Sequence, residues 1–249
     1  MPTDLSRRER LRDDMMREVR RVARRLVAEH GASGLTVVAV GKAVGVTPPA
    51  LYRYFEHGRA ELLGAVYRDS MDELIDTITA AVDRQPPGDV AARLHAPADA
   101  LFRWCRAHPC EFDLLMGSAY EQAVSADGQL LEHVTQTIGP VFLPMFIELW
   151  EQGFDYPANE DLPPELLAQL RPYLRSMLAG AGMSDVPLPL GVAYWMVTGW
   201  RQVYGLLCMA VYDHIGFAFA DHQVLFDDTF RGVLRMMGLE VSPDVVLER

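Results

Sequence analysis

Apolar residues recur every three to four positions along most of the chain, which is the spacing of one face of an α-helix. The first such stripe predicts a helix over residues 11–29 and consists of Leu11, Met15, Val19, Val22 and Leu26. Gly31 follows it, as expected where a helix ends. Strand-like alternation never lasts more than a few residues, so the pattern predicts an all-α protein.

Residues 35–63 carry two short helical patterns on either side of a Gly-Val-Thr turn. Thr36 is placed to cap the first helix, and Gly45 to end it, because glycine accepts the left-handed backbone of a tight turn. Thr47 is placed to cap the second helix, and the prolines at 48–49 fit its first turn. Two helices crossing at a glycine turn form a helix-turn-helix.

The second of these helices has a distinctive sequence, Ala-Leu-Tyr-Arg-Tyr-Phe, over residues 50–55. Leu51 and Phe55 lie four apart and are expected to face inward. With Thr47 before it and Leu62-Leu63 after it, residues 17–67 resemble the DNA-binding domain of TetR-family transcriptional regulators. The resemblance implies an all-helical homodimer with a small N-terminal DNA-binding domain and a larger C-terminal ligand and dimer domain.

One position departs from the family pattern. A basic residue usually stands three positions after the phenylalanine, where this chain has Gly58, and Arg59 comes one position later.

A helix-turn-helix of this kind places its second helix in the major groove of double-stranded DNA. The predicted DNA contacts are Thr36, Val38, Thr47, Pro48, Pro49, Ala50, Tyr52, Arg53, Tyr54 and Arg59. The alternative is a helix-turn-helix used only for packing.

Helical patterns continue to the C-terminus. They cover residues 59–82, 90–107, 110–126, 127–153, 163–178, 190–217 and 222–237, with Gly139-Pro140 and Pro144 expected to kink or interrupt the fourth. The predicted domains are residues 1–67, with a basic N-terminal arm over 1–10, and residues 68–249. The helix from residue 59 would link the two, and the two last helices carry enough apolar surface for a dimer face, with Gly199, Gly205 and Gly232 allowing close approach.

Aromatic residues and methionines are dense in the C-terminal half. His108-Pro109 through Ser118, followed later by Trp200 and Tyr204-Gly205, is similar to a C-terminal domain type of actinobacterial TetR-family proteins. These aromatic residues either fill a helical core or line a pocket for a mostly apolar effector. The predicted ligand contacts are Phe102, Arg103, Trp104, Phe112, Met116, Tyr120, Phe146, Trp150, Trp195, Thr198, Gln202 and Tyr204.

The net charge of −11 argues at first against a nucleic-acid partner. Residues 1–68, however, contain thirteen basic and eight acidic residues, so the acidic excess lies in the rest of the chain. Phosphate attraction is screened within roughly 10 Å, so a basic N-terminal end can bind DNA while the acidic part stays away.

Several classes of protein are disfavoured. No metal-site spacing is convincing, because Cys105, His108 and Cys110 do not share a helix face, and no catalytic or nucleotide-binding motif occurs. We therefore predict no enzyme activity, metal or cofactor. Three cysteines, the absence of a signal-like N-terminus and the absence of a long apolar run predict a cytoplasmic protein without a membrane span.

These observations predict a homodimeric transcriptional repressor. It would bind a palindromic operator and be released by a small, mostly apolar effector. Two alternatives remain open at this point. One is a helical small-molecule-binding or enzymatic protein whose helix-turn-helix no longer binds DNA, and the other is a TetR-like activator.

Overall fold

The computed structural model describes residues 7–126, 130 and 133–241, and within them it is helical and contains no strand. The all-α prediction is confirmed. The helices are α1 (Arg7–Gly34), α2 (Val37–Val44), α3 (Pro48–Leu51), α4 (Arg59–Asp83), α5 (Val90–Ala107), α6 (Pro109–Met116), α7 (Tyr120–Ala126), α8 (His133–Glu151), α9 (Pro164–Gly180), α10 (Leu190–Val211) and α11 (His222–Met236). No helix in these ranges is long and apolar enough to cross a bilayer.

The chain folds as two compact units. The first contains the described residues of 1–72 and 108–130, and the second those of 73–107 and 131–249. The helices α6 and α7 therefore belong to the same unit as α1, α2 and α3. The predicted division into domains 1–67 and 68–249 stays a prediction.

The first unit is built on α1, which packs against α2 and α6. Val19, Val22 and Val27 are buried, but Leu11 of the predicted stripe is 61% exposed, because α1 begins at Arg7 and its first turns extend past the core. Residues 7–10 are thus helical, whereas the predicted arm also includes residues 1–6, which lie outside the described residues. The helix breaks at Gly31, whose φ is 68°.

The predicted helix 110–126 is interrupted and forms α6 and α7. The break has a local cause in Asp113, whose Oδ1 accepts hydrogen bonds from the Ser118 backbone N–H at 2.8 Å and from the Ser118 hydroxyl at 2.9 Å. These bonds stabilise a turn in place of further helix. An interruption was also expected near Pro140 and Pro144, but α8 runs through both prolines without a break.

The second unit contains α5 and α8–α11. The ring of Phe102 on α5 stacks on that of Phe226 on α11, with centroids 4.6 Å apart, and both side chains are fully buried. The predicted bounds of α5 agree with the structure at both ends. The helix predicted over 190–217 ends earlier, at Val211, where the chain turns and Asp213 adopts a φ of 53°.

Candidate functional site

The turn of the helix-turn-helix has the predicted construction. The Thr36 hydroxyl accepts a hydrogen bond from the Ala39 N–H at 3.0 Å, which caps α2. Gly45 ends α2 with a φ of 74°. A Cβ atom at Gly41 would lie 2.8 Å from the Val46 carbonyl oxygen, so glycine at this position lets the turn fold tightly against α2.

The second helix of the motif is shorter than predicted. Thr47 precedes it, without a side-chain capping bond, and α3 spans Pro48–Leu51. The Tyr54 N–H bonds to the Leu51 carbonyl oxygen three residues back, at 2.9 Å, and this tighter bond ends the α-helix. Leu51 and Phe55 are 1% and 2% exposed, so the prediction that they face inward is confirmed.

The residues between and around these anchors reach the surface. Val38 is 65% exposed and Tyr52 is 49% exposed, which is high for apolar and aromatic side chains. Thr36, Thr47, Pro49 and Arg53 are also exposed, whereas Pro48, Ala50, Tyr54 and Arg59 are half-buried. The helix-turn-helix thus presents hydroxyl, apolar and cationic groups without burying them in its own core.

Tyr52 rests against the turn between α3 and α4. Gly58 occupies this turn with a φ of 57°, and a Cβ atom there would lie 2.8 Å from Cε1 of the Tyr52 ring. A side chain at this position would displace the ring. The structure therefore gives a physical reason for glycine at this position.

Arg12 of α1 adds a cation that the sequence pattern did not single out. Its guanidinium carbon lies 5.9 Å from the centroid of the Tyr54 ring, within the range of a cation–π contact. Arg12 is exposed. It could be found only from the fold, since it is one of many arginines in α1 and is separated from Tyr54 by more than forty residues.

Arg59 has structural bonds inside the first unit. Its Nε donates to the Leu35 carbonyl oxygen at 2.9 Å, and one Nη donates to the Ala32 carbonyl oxygen at 2.8 Å. The same Nη lies 3.2 Å from Oε1 of Gln122 on α7. These bonds hold the chain beyond the Gly31 break against the start of α4. The predicted role of Arg59 as a phosphate contact stays a prediction.

The second unit contains a partly open cavity of about 120 Å³. Its walls come from α5 and α8–α11. Of the twelve predicted ligand contacts, Phe146 and Trp195 line it. The lining also includes residues that were not predicted as contacts, among them Ala98, Phe142, Tyr173, Gly199, Trp200 and Phe230. Trp200 and Phe142 belong to the aromatic-rich sequence, but nothing near Tyr173 in the sequence indicated a pocket.

The other predicted ligand contacts lie outside this lining and stay predictions. Phe112, Met116 and Tyr120 belong to the first unit, and the Tyr120 hydroxyl bonds to the Leu130 carbonyl oxygen at 3.1 Å. The remaining seven are in the second unit, and they are Phe102, Arg103, Trp104, Trp150, Thr198, Gln202 and Tyr204. Specific partners explain some of them, since the Trp104 Nε1–H donates to Glu73 at 3.0 Å and the Tyr204 ring stacks on Trp200.

A polar cluster lies between α5 and α11. Asp99 accepts a hydrogen bond from Gln223 Nε2 at 2.5 Å, and Arg103 Nε lies 2.9 Å from its other oxygen. Burial raises the pKa of Asp99, and the Arg103 charge opposes this rise. Burial also lowers the pKa of His95 to about 4, with the nearby Arg231 charge acting in the same direction. His95 is therefore neutral at neutral pH.

The helix-turn-helix segment matches a known family. The sequence profile described as "Bacterial regulatory proteins, tetR family" matches residues 19–66, from α1 through α2 and α3 into α4. Residues 19–66 therefore match the TetR family of DNA-binding domains. This matched segment contains the glycine turn, the buried anchors and the exposed groups described above.

Two curated relatives of this chain are mycobacterial. They are the HTH-type transcriptional regulators Rv1816 of Mycobacterium tuberculosis strain H37Rv and Mb1846 of Mycobacterium bovis. Each is 27% identical over 138 residues, which is 55% of this chain. The chain spans 58% of the length of these relatives. Their names are those of transcriptional regulators.

A solved structure shares the fold of this chain over most of its length. The crystal structure of the regulatory protein SCO4313 superposes with a TM-score of 0.62 at 23% sequence identity. The match covers 91% of this chain and 98% of the other. At this identity the likeness concerns the fold, and it includes the helical C-terminal part that the family profile does not reach.

Proposed function

We propose that this TetR-family chain is a homodimeric transcriptional repressor that binds a palindromic operator and is released by a small, mostly apolar effector. The observation that carries the proposal is the exposed surface of the helix-turn-helix. Tyr52 and Arg53 are exposed between the buried anchors Leu51 and Phe55. Such side chains are free for DNA, whereas a motif used only for packing would bury its surface.

The exposed groups suit different parts of a DNA site. Arg53 can pair with a guanine edge in the major groove or with a phosphate. The exposed methyl groups of Val38 and the ring of Pro49 suit contacts with thymine methyl groups. Thr47 and Tyr52 can donate hydrogen bonds to phosphates, which position the protein along the duplex. DNA binding would place the protein in the cytoplasm.

The dimer is proposed to form through α10 and α11. Gly205 and Gly232 are on these helices, and an added Cβ atom at either would meet no atom of another described helix or loop within 4 Å. Met209 and Tyr212 near the end of α10 are 45% and 40% exposed. A face of this kind can pair with its own copy about a twofold axis. A twofold dimer fits a palindrome whose half-sites lie about 34–36 Å apart or a multiple of that spacing.

Effector release is proposed to act through α4. This helix supplies its first part, up to Asp72, to the first unit and the rest to the second unit. A ligand in the cavity shifts the population only if its affinity differs between the DNA-binding state and the released state.

DNA selection tests the DNA-binding part of the proposal. The purified full chain is used to enrich sites from a random duplex pool, beside Arg53→Ala and the control Arg171→Ala. Arg171 is an exposed arginine of α9 in the second unit. We expect a palindrome from the wild type and from Arg171→Ala. Loss of the Arg53 side chain should weaken binding to that site by about 1–3 kcal/mol. Equal binding by Arg53→Ala, or no enrichment by folded wild type at low salt, would refute this part.

Sedimentation tests the dimer. Gly205→Trp should give monomers that bind no operator specifically, while Gly205→Ala, which adds a single methyl group, should remain dimeric. A dimer that survives the tryptophan unchanged would show that the interface lies elsewhere.

A further inference from the structure

The lining of the cavity in the second unit carries no charged side chain in the part of the chain that the structure describes. Its polar side chains are the Thr135 and Tyr173 hydroxyls and the indoles of Trp195 and Trp200. Burial raises the pKa of Tyr173 to about 12, so its hydroxyl is protonated and neutral at physiological pH. A charged ligand would lose its hydration here without gaining an opposite charge.

The volume limits the size of the ligand. The cavity measures about 120 Å³. An engineered apolar cavity of about 150 Å³ in another protein stays dry and binds benzene. A molecule with one ring and a small substituent is therefore about the size that this space holds, and a second ring or a long alkyl chain would need the walls to move or would extend out of the open side.

The walls also favour a flat ligand. Rings of Phe142, Phe146, Trp195, Trp200 and Phe230 line the cavity together with aliphatic side chains. Aromatic side chains hold a ring through offset or edge contacts that an equal mass of flexible alkyl chain does not make. The few hydroxyl and indole groups leave room for about one polar substituent that fixes the orientation.

We propose that this cavity binds a neutral single-ring molecule, of the class of a benzene substituted with one hydroxyl, hydroxymethyl or carbonyl group. Its role as the effector rests on the proposed function, whereas binding itself does not. Anionic and cationic analogues of the same ring are rejected, because the described lining supplies no counter-charge.

Calorimetric titration of the purified full chain without DNA tests this proposal. The probes are benzyl alcohol, benzoate, benzylammonium and 4-biphenylmethanol at pH 7.5. Benzoate and benzylammonium differ from benzyl alcohol by a negative and a positive charge, and 4-biphenylmethanol has one additional ring. We expect benzyl alcohol to bind at least 30-fold more tightly than either ion and at least tenfold more tightly than the two-ring alcohol.

A matched pair of variants links binding to the cavity. Ala98 lines the cavity on α5, whereas Ala168 is exposed on α9 and does not line it. Ala98→Leu should weaken benzyl alcohol binding at least tenfold, and Ala168→Leu should leave it unchanged. If Ala98→Leu does not fold, Gly199→Ala replaces it. The nearest atom to the added methyl group is Val233 Cγ1 at 4.0 Å, and alanine favours a helix, so this variant should fold and bind severalfold more weakly.

Each result decides the matter. Equal binding of benzoate or benzylammonium would overturn the neutral class, and tighter binding of 4-biphenylmethanol would overturn the size limit. Equal weakening by the cavity variant and Ala168→Leu, or no binding of benzyl alcohol at all, would overturn the site. Since the titration contains no DNA, these failures are distinct from failure to enrich an operator.

Discussion

Replacing Arg59 by alanine should separate a structural arginine from a DNA-contacting one. Arg59 was predicted to contact DNA, yet its guanidinium bonds to the carbonyl oxygens of Ala32 and Leu35 at 2.8 and 2.9 Å. Ala32 and Leu35 are 5% and 0% exposed. Removing the arginine takes the hydrogen-bond donor from these two carbonyl oxygens, and water has little access to replace it.

The magnitude follows from these two bonds. A hydrogen bond from a charged donor contributes about 1.5–3 kcal/mol in favourable surroundings. Arg59 is only half-buried, so we take the lower part of this range and expect Arg59→Ala to lower the free energy of unfolding by about 2–4 kcal/mol. Arg59→Lys keeps the charge but lacks the planar fork, so most of the loss should remain.

Urea unfolding of Arg59→Ala, Arg59→Lys and Arg53→Ala, together with operator titrations under native conditions, provides the assay. Arg53 is exposed, so its alanine variant should unfold like the wild type and lose only operator affinity. If Arg59→Ala unfolds within about 0.5 kcal/mol of the wild type, which is typical of surface changes, the structural role is wrong. Normal stability combined with weak operator binding would instead make Arg59 a phosphate contact.

Two further predictions concern other buried or strained positions. The folded chain lowers the pKa of His95 to about 4, below its usual value of 6.5. The free energy of unfolding, measured in urea, should therefore be about 2 kcal/mol lower at pH 5 than at neutral pH. His95→Phe should abolish this part of the pH dependence, and an unchanged slope would refute the assignment. Gly58→Ala should cost about 1–2 kcal/mol more than Gly88→Ala, because both have positive φ but a Cβ atom at Gly58 also meets the Tyr52 ring. Equal unfolding free energies for these two variants would show that the ring moves at no cost.

The helix-turn-helix could be predicted from the sequence because local rules determine it. Thr36, Gly45 and the paired Leu51 and Phe55 each act within a few residues, through a cap, a left-handed turn and one helix face. Helix periodicity also placed α5 correctly at both ends. Such features depend on neighbours in the chain, which the sequence displays.

Features that depend on distant contacts could not be predicted in this way. The bond from Arg59 to Leu35 joins residues 24 apart, and the contact of Arg12 with Tyr54 joins α1 to the turn that follows α3. The grouping of α6 with α1 has the same character, because an ion pair of Arg24 with the buried Glu111, at 3.8 Å, lies between them. Periodicity reveals which face of a helix is apolar, but not which other helix covers it.

The residues that line the cavity could not be predicted from the amino-acid composition either. The cavity lies in the aromatic-dense C-terminal half, but aromatic residues that fill the core and those that line a space have the same sequence signature. Phe102 stacks inside the core on Phe226, whereas Phe146 lines the cavity. The difference is the presence of a void, which depends on how five helices pack together.

A ligand as small as the proposed one constrains how release can work. A tiny ligand gains at most about 1.5 kcal/mol per non-hydrogen atom, or about 12 kcal/mol for the eight atoms of benzyl alcohol. Moving a population from 1:99 to 99:1 needs about 5.5 kcal/mol of difference between the two states. One ligand would have to direct nearly half of its largest binding free energy to that difference.

Two cavities in the proposed dimer would ease this requirement. Each ligand would then need about 2.7 kcal/mol of preference for the released state, or roughly a hundredfold difference in affinity. Neither ligand alone would complete the shift, so operator release should depend steeply on ligand concentration, with a Hill coefficient clearly above 1 and at most 2. Fluorescence anisotropy of a labelled operator, titrated with the bound single-ring ligand, measures this coefficient. A coefficient of 1 with complete release would mean that one ligand suffices, and that the cavity is almost closed to it in the DNA-bound state.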